Sequence, residues 1–265
     1  MQRYVHGYSE REARRLVDQA DSVRDLIHAD TKLDPGARVL EPGCGTGAQT
    51  APLALRFPES SFVSFDLSES SLQRARSSVV ALSNVSLLRG DLFEPPFDDG
   101  VFDAALVSYL LEHLPDPIRA LKTVRHLLRP GAVIHVVEGD HGSCYFHPET
   151  DAARKVWECL IEVQRGIGAD SLIGRRLHAL LSEAGFTDVS VSPRMVYADE
   201  SKPDLMVSFV ENTIVPMVEG AREAALQRGL IDSTTWKHGI RDLMSVSREP
   251  GGVFCYTFFK ATARS

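Results

Sequence analysis

Residues Val39-Leu40-Glu41-Pro42-Gly43-Cys44-Gly45-Thr46-Gly47 constrain this chain more than any other stretch, because an apolar run breaks there into three alternate glycines and then into a helical pattern. Such a segment reads as a strand, a tight loop and a helix start. Gly43, Gly45 and Gly47 permit positive φ and let a ligand approach the backbone where a Cβ would stand in the way. The helix behind the loop offers free N–H groups, so the stretch predicts a nucleotide-type site. Gly43, Gly45 and Ala48 also satisfy the dinucleotide pattern G-x-G-x-x-G/A, which leaves an NAD(P)-dependent oxidoreductase open at this point.

The surroundings of the loop favour a different ligand. Glu41 puts a carboxylate at the strand end, where a diphosphate would be repelled and a cationic cofactor attracted. A second strand, Ser61-Phe62-Val63-Ser64-Phe65, ends in Asp66, at roughly the ~20-residue offset at which an acid meets a ribose. A third, Val85-Ser86-Leu87-Leu88, ends near Gly90-Asp91. Glu41, Asp66 and Asp91 would then share one rim of a parallel sheet. In these residues the chain resembles the class I S-adenosylmethionine-dependent methyltransferases, with Glu41 to Gly47 similar to their first motif, Asp66 to the ribose acid and Gly90-Asp91-Leu92 to the adenine segment. The resemblance implies S-adenosylmethionine as cofactor and an α/β, doubly wound, Rossmann-like seven-stranded sheet with helical cap insertions. It also implies a cofactor-binding set that adds Tyr8, Gln19, Gln49 and Leu67 to those residues.

Composition narrows the class further. Hydrophobic residues make up 43% and charged ones 25% of 265 residues, the balance of a globular chain able to bury a full core. A net charge of −7 without dense Lys/Arg blocks argues against phosphate-backbone binding, so a small-molecule substrate is expected, with no nucleic acid. Cys44, Cys144, Cys159 and Cys255 show no C-x-x-C spacing and read as reduced thiols. With no signal core and no long apolar run, a cytoplasmic chain that avoids membranes is expected, as a monomer or homodimer.

Along the chain, Ser9-Glu10-Arg11-Glu12 reads as a capping box, and Leu16, Val17, Ala20, Val23, Leu26 and Ile27 form the apolar stripe of a helix. Pro52 leaves open whether the helix after the glycine loop starts late or is bent. Ser68 should cap a helix over residues 69–82 that Asn84 closes. Val101 to Val107 is the fourth strand, Asp116-Pro117 caps the next helix, and Ala132 to Val137 is the fifth strand. Glu138 to Glu149 reads as a loop dense in chemistry. Helices over 151–165 and 174–184, a strand from Val189 to Tyr197, a helical region over 203–248 and a last strand from Val253 to Thr262 complete the reading. The whole chain, 1-265, is expected as one methyltransferase domain: an N-terminal lid helix over 1-30, a cofactor-binding core over 36-137, and helical insertions over 138-186 and 203-250.

The chemistry concentrates after the fourth and fifth strands. Tyr109 and His113 follow the fourth strand at the position where the resembled family points side chains into its active site. Glu138, Asp140 and His141 follow the fifth. A carboxylate leaving a strand end can accept a proton from a nucleophile as it attacks the methyl group, so Glu138 is the expected base, oriented by Asp140 or His141. Capping of the loop by the same side chains is the structural alternative. Glu138, Asp140, His141 and His147 suit divalent ions, but no metal is expected, since class I members mostly need none. Tyr4, His6 and Tyr145 are expected at the substrate, and Arg194 either pairs with a substrate carboxylate or is an ordinary surface cation. Tyr256 and Lys260 match the Y-x-x-x-K of short-chain dehydrogenases, but their flanks favour a strand, where four residues span roughly 13 Å. The segments 3–12 and 138–150 are also similar to bacterial and archaeal small-molecule methyltransferases, including indole C3-methyltransferases of the physostigmine type. That implies C-methylation of an indole or another aromatic secondary metabolite. A non-catalytic S-adenosylmethionine sensor is the alternative.

Overall fold

A computed structural model describes residues 10–265. It contains a seven-stranded sheet in the order β3-β2-β1-β4-β5-β7-β6. The strands are β1 (Arg38–Pro42), β2 (Ser61–Asp66), β3 (Val85–Arg89), β4 (Phe102–Ser108), β5 (Leu128–His147), β6 (Thr187–Asp199) and β7 (Val253–Arg264). Pairings β1 with β2, β2 with β3, β1 with β4 and β4 with β5 are all parallel. Strand order reverses at the β1/β4 boundary, the switch point at which doubly wound sheets leave a crevice beyond their carboxyl ends.

The chain divides into two compact units. The first unit comprises Ile27–Gly139, Leu172–Arg194 and Phe259–Ser265. Its core is apolar on both sheet faces: Leu40, Val63, Phe65, Ala105, Val107, Ile134 and Val136 join Leu121, Val124, Leu180 and Leu181 in one cluster, and Val39, Phe62, Ala104 and Leu106 join Leu53 and Ala54 in another. Such two-sided burial explains why these strands read as continuous apolar runs. Helices α2 (Thr50–Arg56), α3 (Glu69–Ser78), α4 (Pro117–Leu127) and α6 (Leu177–Glu183) belong to this unit. Pro52 sits in the first turn of α2, where its missing N–H costs no intrahelical bond. Ser68 caps α3 by accepting from the Ser71 amide, and Asp116 caps α4 by accepting from Arg119.

The second unit comprises the residues up to Leu26 together with Asp140–Ser171 and Met195–Phe258. Residues 172–186, expected in an insertion, group with the first unit. Helix α1 (Glu10–His28) buries Ala20, Val23 and Ile27 along its expected stripe, while Val17 is 41% exposed. Its cap residue Ser9 lies outside the described residues, as do Tyr4, His6 and Tyr8. Helix α5 (Asp151–Arg165) is followed in the second unit by a helical succession: α7 (Pro203–Leu205), a π-helix over Met206–Ile214, α8 (Val215–Glu219), α9 (Arg222–Gln227) and α10 (Ser233–Ser245). Trp157, Phe209, Phe254 and Tyr256 make edge and tilted ring contacts in its core.

Two expectations are corrected. The segment after the fifth strand is no loop: β5 runs on to His147, with Cys144 and Phe146 buried and Tyr145 and His147 exposed in a period-2 pattern. Glycines and polar side chains suggested a loop, but the alternation of Ser143-Cys144-Tyr145-Phe146-His147 prevails. Asn84 does not close α3, which ends at Ser78. Its amide instead donates to the carbonyls of Ala54, Phe57 and Ser60 at 3.1, 3.3 and 3.1 Å, satisfying the end of α2 and the turn behind it. Asn84→Ala removes these donations, leaving Phe57 only the Ser60 amide, and urea unfolding should show a loss of about 1–3 kcal/mol.

Candidate functional site

Parallel register sets the site. Pro42 is level with Phe65, Asp66 with Arg89, and Ser108 with Val137, so the carboxyl ends of the first four strands line up with one another and with Val137 inside β5. The glycine loop wraps the end of β2: the amides of Gly43 and Cys44 donate to the Phe65 carbonyl at 2.8 and 3.1 Å. The Gly45 amide donates to Asp66 Oδ2 at 2.9 Å, and Asp66 Oδ1 accepts from Ser68 at 2.8 Å. Two amide bonds leave further lone pairs on this carboxylate, enough for ribose hydroxyls. Asp66 also accepts the Gly90 amide on its carbonyl at 3.2 Å. Glycine loop, second-strand acid and third-strand glycine are thus joined as expected from their spacing.

Each loop glycine has its own reason. All three have positive φ, at 67°, 53° and 76° for Gly43, Gly45 and Gly47. A Cβ on Gly43 would lie 2.6 Å from Leu110 Cδ1, and one on Gly47 would lie 3.3 Å from the Ala75 backbone of α3. A Cβ on Gly45 would meet nothing within 4 Å, so that face of the loop is open. Thr46 Oγ1 is buried without a hydrogen-bond partner among the described residues. An open glycine face, an orphaned hydroxyl and a carboxylate with spare acceptor sites fit a ribose-bearing cofactor. Leu67, beside Asp66, is 57% exposed. Leu92 is buried, and Asp91 Oδ1 accepts the Phe93 amide at 2.9 Å.

Glu41 is placed differently from a rim carboxylate. It is 3% exposed, and its Oε2 accepts from Ser64 Oγ at 2.6 Å and Thr50 Oγ1 at 2.7 Å. Burial outweighs those two bonds and pushes its pKa from 4.5 up to about 7. Gln49 Oε1 is bonded to His28 Nε2 at 2.8 Å. Gln19, in α1 of the second unit, accepts from Arg15 at 2.8 Å.

The expected acid–base residues separate. Glu138, in the first unit, is fully buried; its Oε1 accepts the amides of Leu110 and Leu111 at 2.9 and 2.7 Å. Burial, reinforced by the Glu112 carboxylate, pushes its pKa well above the usual range. Tyr109 takes a left-handed φ of 54° and donates its amide to the Val137 carbonyl. His113 closes a 3-10 turn, Leu111–His113, with Nε2 3.4 Å from Glu112 Oε1. Asp140 and His141 belong to the second unit. Asp140 caps its own chain at the Gly142 amide, 3.0 Å. His141 Nδ1 lies 2.7 Å from the Tyr256 hydroxyl, and its carbonyl accepts from Trp157 Nε1 at 2.8 Å. Tyr145 is 51% exposed with its hydroxyl 3.9 Å from Met195 Sδ. Arg194 pairs with Asp30, which also takes Lys260 Nζ at 2.6 Å. Lys260 and Tyr256 both lie in β7, as the strand reading requires.

Ser64, Thr50, His28 and Leu110, which hold the expected residues in place, were not anticipated. A serine inside the apolar run of β2, level with Glu41, was the available signal.

Comparison with known proteins agrees with this geometry. A family described as "Methyltransferase domain" matches residues 40–136. An uncharacterized 37.1 kDa protein in transposon TN4556 of Streptomyces fradiae is 30% identical over 199 residues, covering 74% of this chain and 57% of that protein. Demethylmenaquinone methyltransferase of Staphylococcus aureus (strain JH9) is 31% identical over 116 residues, 43% of this chain and 48% of the enzyme. The chain spans about half the length of these curated relatives. Among solved structures, the (4+2)-cyclase SpnF superimposes with a TM-score of 0.58 at 21% identity, over 93% of this chain and 81% of that one.

The buried state of Glu41 has a measurable consequence. A carboxyl whose folded pKa is raised stabilises fully below its unfolded pKa and loses that contribution as pH rises through the folded value. Between pH 4.5 and 7 the parent should therefore lose on the order of 3 kcal/mol relative to Glu41→Gln, which cannot ionise. Urea titrations of both at pH 5 and pH 8 check this, and parallel changes would mean that Glu41 is ionised throughout. Residues 40–136 match the family described as "Methyltransferase domain", and the doubly wound seven-stranded sheet that carries them is the fold shared with the solved structures they resemble.

Proposed function

We propose that the chain transfers a methyl group from S-adenosylmethionine to a small-molecule nucleophile, and that the acceptor is an indole or another aromatic ring methylated at carbon. The observation that carries the reading is the loop at Gly45, with its open face, positive φ and amide bound to Asp66. S-adenosylmethionine supplies an electrophilic methyl on a sulfonium. What this chain contributes is alignment, water exclusion and a place for a proton, and alignment alone is worth up to ~7–11 kcal/mol. The aromatic acceptor is supported by the likeness of segments 3–12 and 138–150 to indole methyltransferases.

We assign the proton-accepting role to His141, whose ring is oriented by Tyr256 at 2.7 Å. Tyr109 and His113 are proposed to line the acceptor, with Tyr4, His6 and Tyr145. Arg194, already paired with Asp30, fits the structural role better than a substrate role.

A second reading keeps the cofactor and drops the methyl transfer. It is favoured by the likeness to a cyclase, which carries this fold without a name that includes methyl transfer. Calorimetry with S-adenosylmethionine and with NAD, followed by transfer of labelled methyl to a panel of indoles, phenols and amines, separates the readings. Binding without transfer to any acceptor would favour the sensor or cyclase type of role, and binding of NAD alone would restore the oxidoreductase.

Two variants test the site. Gly45→Val should abolish S-adenosylmethionine binding, and Asp66→Ala should weaken it roughly 10–100-fold, the value of about 1.5–3 kcal/mol for lost charge-assisted bonds. Parental affinity in Asp66→Ala would remove this acid from the cofactor. His141→Ala should keep cofactor affinity and lose on the order of 10²-fold in turnover.

A further inference from the structure

We infer that Glu138 is a positioning residue for the cofactor loop, acting through Leu110. This rests on the reading that the Gly43–Gly47 loop holds S-adenosylmethionine.

The middle of β5 grips the turn after β4 by three consecutive amides. Tyr109 donates to the Val137 carbonyl at 2.8 Å, and Leu110 and Leu111 both donate to Glu138 Oε1. The turn needs that grip. Tyr109 sits at φ 54°, a left-handed conformation that is strained for a non-glycine residue and persists only where surroundings enforce it. This part of β5 is itself backed: a Cβ on Gly174 would fall 2.7 Å from the Gly139 carbonyl and 3.1 Å from that of Glu138. Backbone packs there too closely for β5 to retreat.

The held turn aims Leu110 at the loop. Its Cδ1 occupies the space beside Gly43, within 2.6 Å of where a side chain would begin. Gly43 in turn donates to Phe65, next to Asp66, and Gly45 donates to Asp66 itself. A carboxyl at position 138 thereby fixes a methyl group against the first loop glycine, one contact removed from the expected ribose acid. Glu138 Oε2 has no hydrogen-bond partner among the described residues, so the work is done by Oε1, an acceptor that glutamine also provides.

Calorimetry with S-adenosylmethionine on the full chain tests this. Glu138→Gln should bind within about threefold of the parent, whereas Glu138→Ala and Leu110→Ala should each bind roughly tenfold more weakly. Because the two act in series, the double variant Glu138→Ala/Leu110→Ala should be no weaker than the weaker single one. Additive losses, or parental affinity in folded Glu138→Ala, would overturn the inference. If Glu138→Ala does not fold by circular dichroism, Leu110→Ala decides, and parental binding there overturns it equally. A tenfold loss in Glu138→Gln would also overturn it. A parent chain that binds no S-adenosylmethionine defeats the cofactor reading first, and this one with it.

Discussion

The parallel register between β1 and β2 is the constraint from which the site follows. Setting Glu41 level with Ser64 and Pro42 level with Phe65 brings the glycines that follow β1 to the end of β2. There the Phe65 carbonyl takes two loop amides and Asp66 takes a third. A slip of one residue would turn every side chain of β1 to the other face. It would also put Leu40 where Glu41 now meets Ser64 and Thr50. The loop is therefore shaped by neighbours that are in place before any ligand arrives, which is what preorganised binding requires.

Much of the first unit was legible because its signals are local. Ser68 and Asp116 cap helices as their spacing implies, and three glycines with positive φ stand where the sequence put them. Strands buried on both faces showed themselves as apolar runs. The extension of β5 was not legible from composition, since Gly139, Asp140, His141 and Gly142 are residues that strands usually lack. Its period-2 half, Ser143 to His147, carried the signal and was outweighed. Asn84 was misread for a related reason: a residue that often ends the nearest helix here satisfies the carbonyls of a more distant one. Such contacts at long range leave no trace in the local pattern.

The roles of Glu41 and Glu138 were beyond the sequence for a physical reason. A carboxylate on a strand can face a ligand or turn inward, and the choice depends on partners that only the fold assembles. Ser64 and Thr50 turn Glu41 inward, and the amides of Leu110 and Leu111 do the same for Glu138. Both carboxyls become parts of the framework that holds the loop.

The first unit also holds buried bases beside these buried acids. Burial lowers His28 and His135 to about 4, while burial raises Glu41 to about 7 and Glu138 in the same direction. A histidine with a lowered folded pKa stabilises fully above its unfolded value near 6.5 and loses that contribution as pH falls towards 4. The carboxyls do the opposite, losing theirs as pH rises from 4.5. Between about pH 4.5 and 6.5 the unfolded chain thus binds extra protons on the imidazoles of His28 and His135 while the folded chain binds one on Glu41, so the slopes oppose one another. Below that window the histidines act alone and acid destabilises; from 6.5 to about 7 Glu41 acts alone and base does. The Glu41 slope thereby offsets part of the imidazole slopes inside one unit, and the burial that raises Glu138 adds to the same side.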